Sequence, residues 1–428
     1  MDDIWALIIE LLPTIFFFRV RLVSKQFNNI ICNYSFTEKR IIFPKMCNMQ
    51  NLNKLNDGNG ITNIYYDCYH DCKEKFYCLN NIISLKSYKY DNNFFFNDAI
   101  IDYSLDNDIN TLTNLIKLKL FHSKLITDNN IKYLTQLNFL TVIGACEITE
   151  IGIRNLTNLN KLRVTGHFPI TDNTIIRMTN LHTLNIRNST SITNNGIEKL
   201  INLTSLDLSL NTIITNVGIS MLINLTKLTL SFNNNITNDC ISMLTNLKIL
   251  ELTGNHMITF PIIYNLPNLT GLVISNNITN DEMAQLTNIK TLKLNNNDKI
   301  TTSLLKLPLL QTLSLEFNKW IDDSIISKLT NLTNLNLIIN NYITSNGIKL
   351  LTNLTRLYIN ETSINDMGIS RLTNLTYLSA VNSQITRYGL KQLTRLTTLI
   401  TNLNRMNNND IQKLSKLTNL TRISLRDD

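Results

Sequence analysis

Residues 200–221 have the sequence LINLTSLDLSLNTIITNVGISM, and most of the chain repeats this unit. The residue that opens it recurs, as methionine once and otherwise as leucine, at intervals of 22 residues at 112, 134, 156, 178, 200, 222, 244 and 266. Intervals of 20 to 24 residues continue the pattern at 286, 307, 329, 351, 372, 393 and 417. A period of this length predicts one elongated solenoid rather than several separate globular domains.

Each unit contains a short stretch in which apolar and polar residues alternate. In Leu206-Asp207-Leu208 the two leucines point to one face, and positions 205, 207 and 209 point to the other. This pattern predicts a strand, and strands of successive units stack in parallel about 4.8 Å apart. The string L-x-x-L-x-L-x-x-N at this period resembles the leucine-rich-repeat family. The resemblance implies an α/β solenoid over residues 112–428, an arc with parallel strands on its concave face and short helices on its convex face.

An asparagine follows the strand in most units. Turning backbone inside a solenoid needs hydrogen-bond partners, and an asparagine amide supplies both donors and an acceptor. We therefore expect a buried ladder of Asn211, Asn233, Asn255, Asn277, Asn297, Asn318, Asn340 and Asn404. Other units carry Ser123, Ala145, His167, Ser189, Thr362 or Ser383 at this position, and their turns should be looser.

The second half of each unit begins with a helix N-cap signal. A threonine precedes the apolar residues at 127, 171, 193, 215, 237, 344 and 386. Ile192, Ile197 and Leu200 should then face the strand leucines from one side of a short helix. The I-T-D-x-G-I form of this segment resembles the repeats of F-box proteins.

Residues 1–40 predict a small all-helical module, with Asp2 or Asp3 as an N-cap and Pro13 ending the first helix. The strings IIELLP at 8–13 and RVRLVSKQFNNII at 19–31 resemble an F-box, although the opening Leu-Pro of that family is missing. The resemblance implies docking on a Skp-type adaptor of a cullin ubiquitin ligase through Leu12, Pro13, Leu22, Val23, Ser24 and Phe27. The alternative is an apolar cap that seals the first repeat.

Residues 41–111 predict a linker and one degenerate repeat that carries an insertion. Leu79, Ile82 and Leu85 keep the leucine spacing of the repeat. Cys68, His70, Cys72 and Cys78 are soft ligands at short spacing, but structural zinc sites usually have a close cysteine pair at both ends. Buried free cysteines are the simpler interpretation, so no metal or other cofactor is predicted.

Several classes of protein are disfavoured by composition. The seven cysteines show no paired framework, and an odd number argues against a disulfide-stapled secreted domain. The acidic start, Asp2-Asp3, does not resemble a signal peptide, and the apolar run 4–18 is too short to span a bilayer. The frequent N-x-T sequons come with the repeat and carry no evidence for secretion. We therefore expect an intracellular protein that makes no membrane contact. The asparagine-rich composition, joined to these repeats, resembles that of proteins from large DNA viruses of amoebae or from some protists.

No catalytic set is brought together by the repeat register, so we predict that the chain is not an enzyme and has no small-molecule substrate. The predicted concave face is instead basic, and its excess of charge favours an acidic or phosphorylated protein partner. Acidic residues there are Asp207, Glu251 and Glu316, and Tyr358 and Tyr377 add aromatic contact area. The basic positions are Lys117, Lys119, Lys161, Arg163, Arg187, Lys227, Lys293, Arg356, Arg422 and Arg426.

The sequence thus predicts the target-recognition subunit of a cullin-type ubiquitin ligase. One alternative is a plain interaction scaffold without a ligase. A second is a nucleic-acid-binding solenoid, which is disfavoured because the basic residues lack interleaved aromatic platforms.

Overall fold

The computed structural model describes residues 113–402, with gaps at 122–125, 145–146, 166–167, 276–277 and 298, and the strand segments 41–43, 63–67, 84–88 and 422–426. Its contacts divide the chain into two compact units, Met1–Leu225 and Thr226–Asp428, which are taken separately below. The adaptor-binding prediction for residues 1–40, the Cys68/His70/Cys72/Cys78 cluster, Asn277 and Asn404 fall outside the described residues.

The first unit is a stack of parallel strands, each paired with the next in chain order. These strands are β1 Ile41–Phe43, β2 Asn63–Asp67, β3 Ser84–Tyr88, β4 Lys117–Phe121, β5 Phe139–Ile143, β6 Lys161–Thr165, β7 Thr183–Asn185 and β8 Ser205–Asp207. The described helices that alternate with them are single turns: α1 Asp128–Ile131, α2 Glu150–Ile153, α3 Asp172–Ile175, α4 Asn194–Ile197 and α5 Asn216–Ile219.

The second unit has the same construction, with every strand parallel to its neighbour. Its strands are β9 Lys227–Thr229, β10 Ile249–Glu251, β11 Gly271–Val273, β12 Thr291–Lys293, β13 Thr312–Ser314, β14 Asn334–Asn336, β15 Arg356–Tyr358, β16 Tyr377–Ser379, β17 Thr398–Asn402 and β18 Arg422–Arg426. Its helices are α6 Asn238–Met243, α7 Phe260–Tyr264, α8 Asn280–Met283, the 3₁₀ helix Thr302–Lys306, α9 Asp323–Ile326, α10 Ser345–Ile348, α11 Asp366–Ile369 and α12 Arg387–Leu390. The predicted α/β repeat architecture, with parallel strands and short helices, is confirmed.

The segment before residue 112 contains more turns than the sequence predicted. Strands β1, β2 and β3 join the same parallel stack, and Leu85 pairs with Leu118 of β4. The single degenerate repeat expected at 41–111 is therefore wrong in number, because three strands lie where one was predicted. The interval from Ser84 to its partner Lys117 is longer than one repeat, so the expected insertion falls between β3 and β4.

The core is a stack of like side chains. In-register pairing places Leu184 beside Leu206, and the strand leucines and helix isoleucines are almost all fully buried. Burying one such side chain contributes about 1.5–3 kcal/mol. Ile192, Ile197 and Leu200 are all buried as expected, although only Ile197 lies within the helix turn. Because each repeat covers the next, no repeat is stable by itself.

The asparagines after the strands make the same hydrogen bonds in one repeat after another. Asn340 is fully buried; its Oδ1 accepts from the backbone N–H groups of Tyr342 and Ile343, both at 3.1 Å. Its Nδ2 donates to the carbonyl of Asn318 in the preceding repeat, at 2.9 Å. Asn211, Asn233, Asn255, Asn297 and Asn318 are also buried. Two hydroxyl residues at this position instead donate within their own turn, Thr362 to the Ile359 carbonyl and Ser383 to the Ala380 carbonyl.

A second set of cross-repeat bonds lies at the helix starts. The carboxylate of Asp172, the first residue of α3, accepts from the backbone N–H and the hydroxyl of Thr193 in the next repeat, at 2.8 and 2.6 Å. A Cβ added at Gly196 would lie 2.4 Å from that carboxylate. The same arrangement joins Asp128 to Thr149, Asp323 to Thr344 and Asp366 to Thr386. The glycine of I-T-x-x-G-I therefore makes room for a side chain from the preceding repeat.

Where the helix of the preceding repeat begins with an apolar residue, the next helix is capped by a side chain of its own repeat. Helix α7 starts at Phe260, and in the following helix Glu282 bonds back to the N–H of its own N-cap, Thr279, at 2.8 Å. This is a capping box, which satisfies the same donors from within one repeat.

The asparagine of L-T-N-L forms a third set of bonds. Its amide donates to a backbone carbonyl of the preceding repeat, as from Asn202 to Thr179 at 3.0 Å and from Asn353 to Thr330 at 2.9 Å. Two positions in many of the repeats therefore use an asparagine amide to join one repeat to the next.

Candidate protein-interaction surface

The outward-facing side chains of β4, β5 and β6 form a basic surface in the first unit. Lys117 pairs with Phe139 and then with Lys161, while Lys119 pairs with Thr141 and then with Arg163. The two basic rows are therefore two strand spacings, or about 10 Å, apart. Lys117 and Arg163 are exposed, Lys119 and Lys161 are half-buried, and we call these four residues the basic strand surface.

Phe139 lies at the centre of this surface, and it was not among the residues predicted from the sequence. The ammonium groups of Lys119 and Lys161 each lie 5.1 Å from the centre of its ring. Such cation–π contacts contribute about 0.5–1 kcal/mol at exposed sites and hold the lysines in place. An aromatic residue between basic rows could have been found by following the strand register, which places Phe139 between Lys117 and Lys161.

The acidic residues of the strand faces are engaged by their neighbours. Asp207 accepts from the Asn185 amide at 2.7 Å and from the Ser209 hydroxyl at 2.6 Å. Glu251 forms an ion pair with Lys227 at 2.6 Å. Glu316 accepts from the amides of Asn295 and Asn336.

Several of the basic groups, in contrast, have no carboxylate partner within the described part of the chain. They are Lys117, Lys161, Arg163 and the exposed Arg187, which follows β7. The described residues of the first unit therefore present positive charge that no described carboxylate pairs with at these four positions.

On the strand face of the second unit, two tyrosines hold the guanidinium of Arg356 in position. Arg356 lies 4.8 Å over the ring of Tyr377 and donates to the hydroxyl of Tyr358 at 3.1 Å. The two tyrosine rings are 4.9 Å apart. An arginine held this way keeps other N–H groups free for a carboxylate or phosphate, which it can bind in bidentate fashion.

The remaining predicted surface positions are less informative. Lys293 is exposed on β12, and Lys227 is used in the ion pair with Glu251. Arg422 and Arg426 lie on β18, which pairs with β17, but their side chains are outside the described residues.

The described residues contain no group of three or more histidine, cysteine, aspartate or glutamate side chains placed to bind a metal ion. Within the same ranges, no helix is long and apolar enough to cross a membrane. Burial, together with the nearby Asp239, raises the pKa of the Cys240 thiol to about 11.

Comparison with known proteins gives one domain match and several structural likenesses. Residues 2–39 match the F-box domain. No curated protein is significantly similar to the chain. An internalin, InlF, from Listeria monocytogenes is 27% identical over 68% of this chain and 88% of its own, with a TM-score of 0.43. A leucine-rich-repeat protein of Leptospira interrogans is 23% identical over 75% and 92%, with a TM-score of 0.41. Internalin C2 from Listeria monocytogenes is 31% identical over 44% and 84%, with a TM-score of 0.35.

Stacked parallel strands, single-turn helices and a buried asparagine ladder define a leucine-rich-repeat protein. The chain therefore combines this repeat fold with a segment, residues 2–39, that matches the F-box domain. An F-box match on the same chain as a leucine-rich-repeat fold supports a protein-interaction adaptor. None of these comparisons tests the likeness to proteins of amoebal DNA viruses, which stays a prediction.

Proposed function

We propose that the chain is the target-recognition subunit of a cullin-type ubiquitin ligase and acts inside the cell. The observation that supports this function best is the F-box match at residues 2–39 on the same chain as a repeat fold with a basic strand surface. The F-box would hold the ligase through its Skp-type adaptor, and the repeats would hold the protein to be modified. The chain itself supplies binding and position, and the chemistry belongs to the assembled ligase.

The adaptor contact is assigned to Leu12, Pro13, Leu22, Val23, Ser24 and Phe27. Replacing Leu12 and Val23 by aspartate places charge in an apolar interface, so binding of a purified Skp-type adaptor should be lost. The matched control is Lys161→Glu with Arg163→Glu, which alters the repeats and should bind the adaptor normally. Circular dichroism verifies that both variants remain folded. Full adaptor binding by the folded Leu12→Asp/Val23→Asp variant would refute the ligase assignment, and a plain interaction scaffold would then be the better interpretation.

The target contact is assigned to the basic strand surface, together with Arg187 and, in the second unit, Arg356, Tyr358 and Tyr377. A single exposed ion pair contributes only about 0–1 kcal/mol, so an acidic or phosphorylated target must engage several of these cations together. Binding should therefore weaken steeply as salt rises.

The test is quantitative interaction proteomics with the Lys161→Glu/Arg163→Glu variant at low and at moderate salt. Arg154→Glu with Lys199→Glu is the control, because it makes the same change in net charge at exposed positions in the helix half of the repeats. The strand variant should lose the salt-sensitive partners, and the control should keep them. If both variants return the same partners with unchanged salt sensitivity, the basic strand surface does not hold the target.

The nucleic-acid alternative rests on the same cations. Stacking of bases needs an open aromatic face, whereas the Phe139 ring is already engaged by two ammonium groups. A protein target therefore fits this surface better than a single-stranded nucleic acid.

A further inference from the structure

Two successive turns of the second unit carry a cluster of exposed apolar side chains. Phe317 and Ile339 occupy one repeat position, just before the ladder asparagine, and Trp320 and Tyr342 occupy another, two residues after it. Phe317, Trp320 and Tyr342 are 45%, 57% and 52% exposed, and Ile339 is half-buried. We call these four residues the aromatic turn patch.

The two turns lie side by side. The amide of Asn340 donates to the backbone carbonyl of Asn318 at 2.9 Å, which joins one turn directly to the other. Equivalent side chains are therefore about 5 Å apart, the spacing of the paired strands. The patch is continuous rather than a scatter of single exposed residues.

The backbone at this position is unfavourable for large side chains. Phe317 and Ile339 have φ angles of +55° and +54°, in the left-handed region. Elsewhere in the unit the position is filled by Gly254, Asn296 or Asn382, which tolerate that conformation better, and by the large residues Phe232 and Glu361. Among the described turns of the second unit, only at Phe317 and Ile339 do two successive turns both carry a large apolar residue there. A β-branched residue there is a genuine outlier. Each bulky residue is strained in this conformation, and the partly exposed side chains do not recover that cost in the core.

The patch is also held in position. The ladder asparagines fix the backbone beneath the aromatic residues. The backbone N–H groups of Trp320 and Tyr342 donate to Asn318 Oδ1 and Asn340 Oδ1, at 3.0 and 3.1 Å respectively. A surface ordered before binding loses little entropy when a partner docks. Tryptophan and tyrosine are the residues that most often dominate binding energy.

Charges beside the patch indicate what it binds. Lys319 lies between Phe317 and Trp320, and Lys299 occupies the position equivalent to Trp320 in the preceding repeat. Both lysines are exposed. The exposed Glu361 lies on the opposite side, in the repeat after Ile339. The exposed Asp322, two residues after Trp320, is engaged as the N-cap of α9 by the N–H groups of Ser324 and Ile325. Neither Lys299 nor Lys319 forms an ion pair within the described ranges, so acidic residues of a partner would complement these two lysines.

We propose that the aromatic turn patch binds an acidic peptide segment of the target protein through large apolar side chains, with its acidic residues toward Lys299 and Lys319. The proposal rests on the target-holding function given above and adds a second element of specificity, since charge alone would accept any acidic segment. A target must then carry leucine or an aromatic residue beside its acidic residues.

The experiment is fluorescence anisotropy of the full chain with a short labelled peptide of glutamates interrupted by two leucines. In one comparison peptide serines replace the leucines, and in another lysines replace the glutamates. The glutamate–leucine peptide should bind at least about tenfold more tightly than either comparison peptide. Equal binding of the leucine and serine peptides would overturn the patch proposal while leaving the charge-based function intact.

The variants separate the patch from the rest of the surface. Phe317→Asn with Ile339→Asn keeps residues that accept the left-handed backbone, so the chain should remain folded, with an unchanged or higher unfolding midpoint, and should lose about tenfold in affinity. Leu210→Asn makes the same change at the same repeat position in the first unit, where φ is +57°, and should leave affinity unchanged. Unchanged affinity in the folded Phe317→Asn/Ile339→Asn variant would refute the proposal. No difference between glutamate and lysine peptides, combined with normal binding by Lys161→Glu/Arg163→Glu, would instead refute the charge-based function.

Discussion

Replacing Asn340 by leucine should destabilise the second unit severely, although the two side chains are similar in size. The substitution removes four hydrogen bonds: those accepted from Tyr342 and Ile343, and those donated to Asn318 and to Leu315. The Leu315 carbonyl keeps its bond from the Asn318 N–H at 3.1 Å. The Tyr342 amide lies near the surface, where water can replace its partner.

Two groups have no such replacement, the N–H of Ile343 and the carbonyl of Asn318. Leaving a buried backbone group without a partner costs about 1–3 kcal/mol. The expected loss is therefore about 2–6 kcal/mol, reduced somewhat by the burial of the leucine. Because cooperativity breaks down in long repeat arrays, the free energy should be measured both by urea unfolding and by hydrogen exchange of amides near the substitution.

The control is Asn341→Leu, one residue further along, where the side chain is exposed. Surface substitutions away from special features usually change stability by less than about 0.5 kcal/mol. Exchange of the Ile343 amide should accelerate in the Asn340 variant alone. Equal urea midpoints for the two variants would contradict the assignment of the ladder as the source of stability in these turns.

Three further outcomes are expected. Ser189 has a buried hydroxyl that finds no hydrogen-bond partner among the described residues, and Ser189→Asn should raise the unfolding free energy by about 1 kcal/mol by extending the ladder; a lower urea midpoint would contradict this. Gly196→Ala should destabilise by about 1–3 kcal/mol because it displaces the Asp172 carboxylate, and the loss should be much smaller in an Asp172→Ala background; additive losses in the double-mutant cycle would be evidence against the second set of bonds. Cys240 should resist alkylation at pH 8 in the folded chain, since a thiol with a pKa of about 11 is almost wholly protonated there, and should react on unfolding; rapid labelling measured by peptide mass spectrometry would show that the site is open.

The period of the sequence predicts the fold because each repeat buries its apolar side chains against its neighbours in the same way. Leucine spacing identifies the strands, and threonine before the isoleucine identifies the helix starts. The segment 41–111 was underestimated because β1 and β2 lack the L-x-L pattern, so only their parallel pairing reveals them.

Contacts between repeats are harder to predict from the sequence of a single repeat. Asp172 and Gly196 are far apart in the sequence, and their relation appears only when an acidic residue is compared with the glycine position of the next repeat. The charges on the strand face likewise identify the basic positions, but they do not show which acidic side chains already have hydrogen-bond or ion-pair partners. Asp207 and Glu316 are bound by asparagine amides that carry no charge, so a charge count cannot register them.

The three sets of asparagine and aspartate bonds have a genetic consequence. Each bond joins a fixed position in one repeat to the matching position in the next, so deletion of one whole repeat brings equivalent donors and acceptors together again. Nearly identical coding segments are also prone to unequal crossing-over and replication slippage. Natural relatives should therefore differ in length by whole repeats far more often than by fractions of one, and an in-frame loss of half a repeat should be removed by selection.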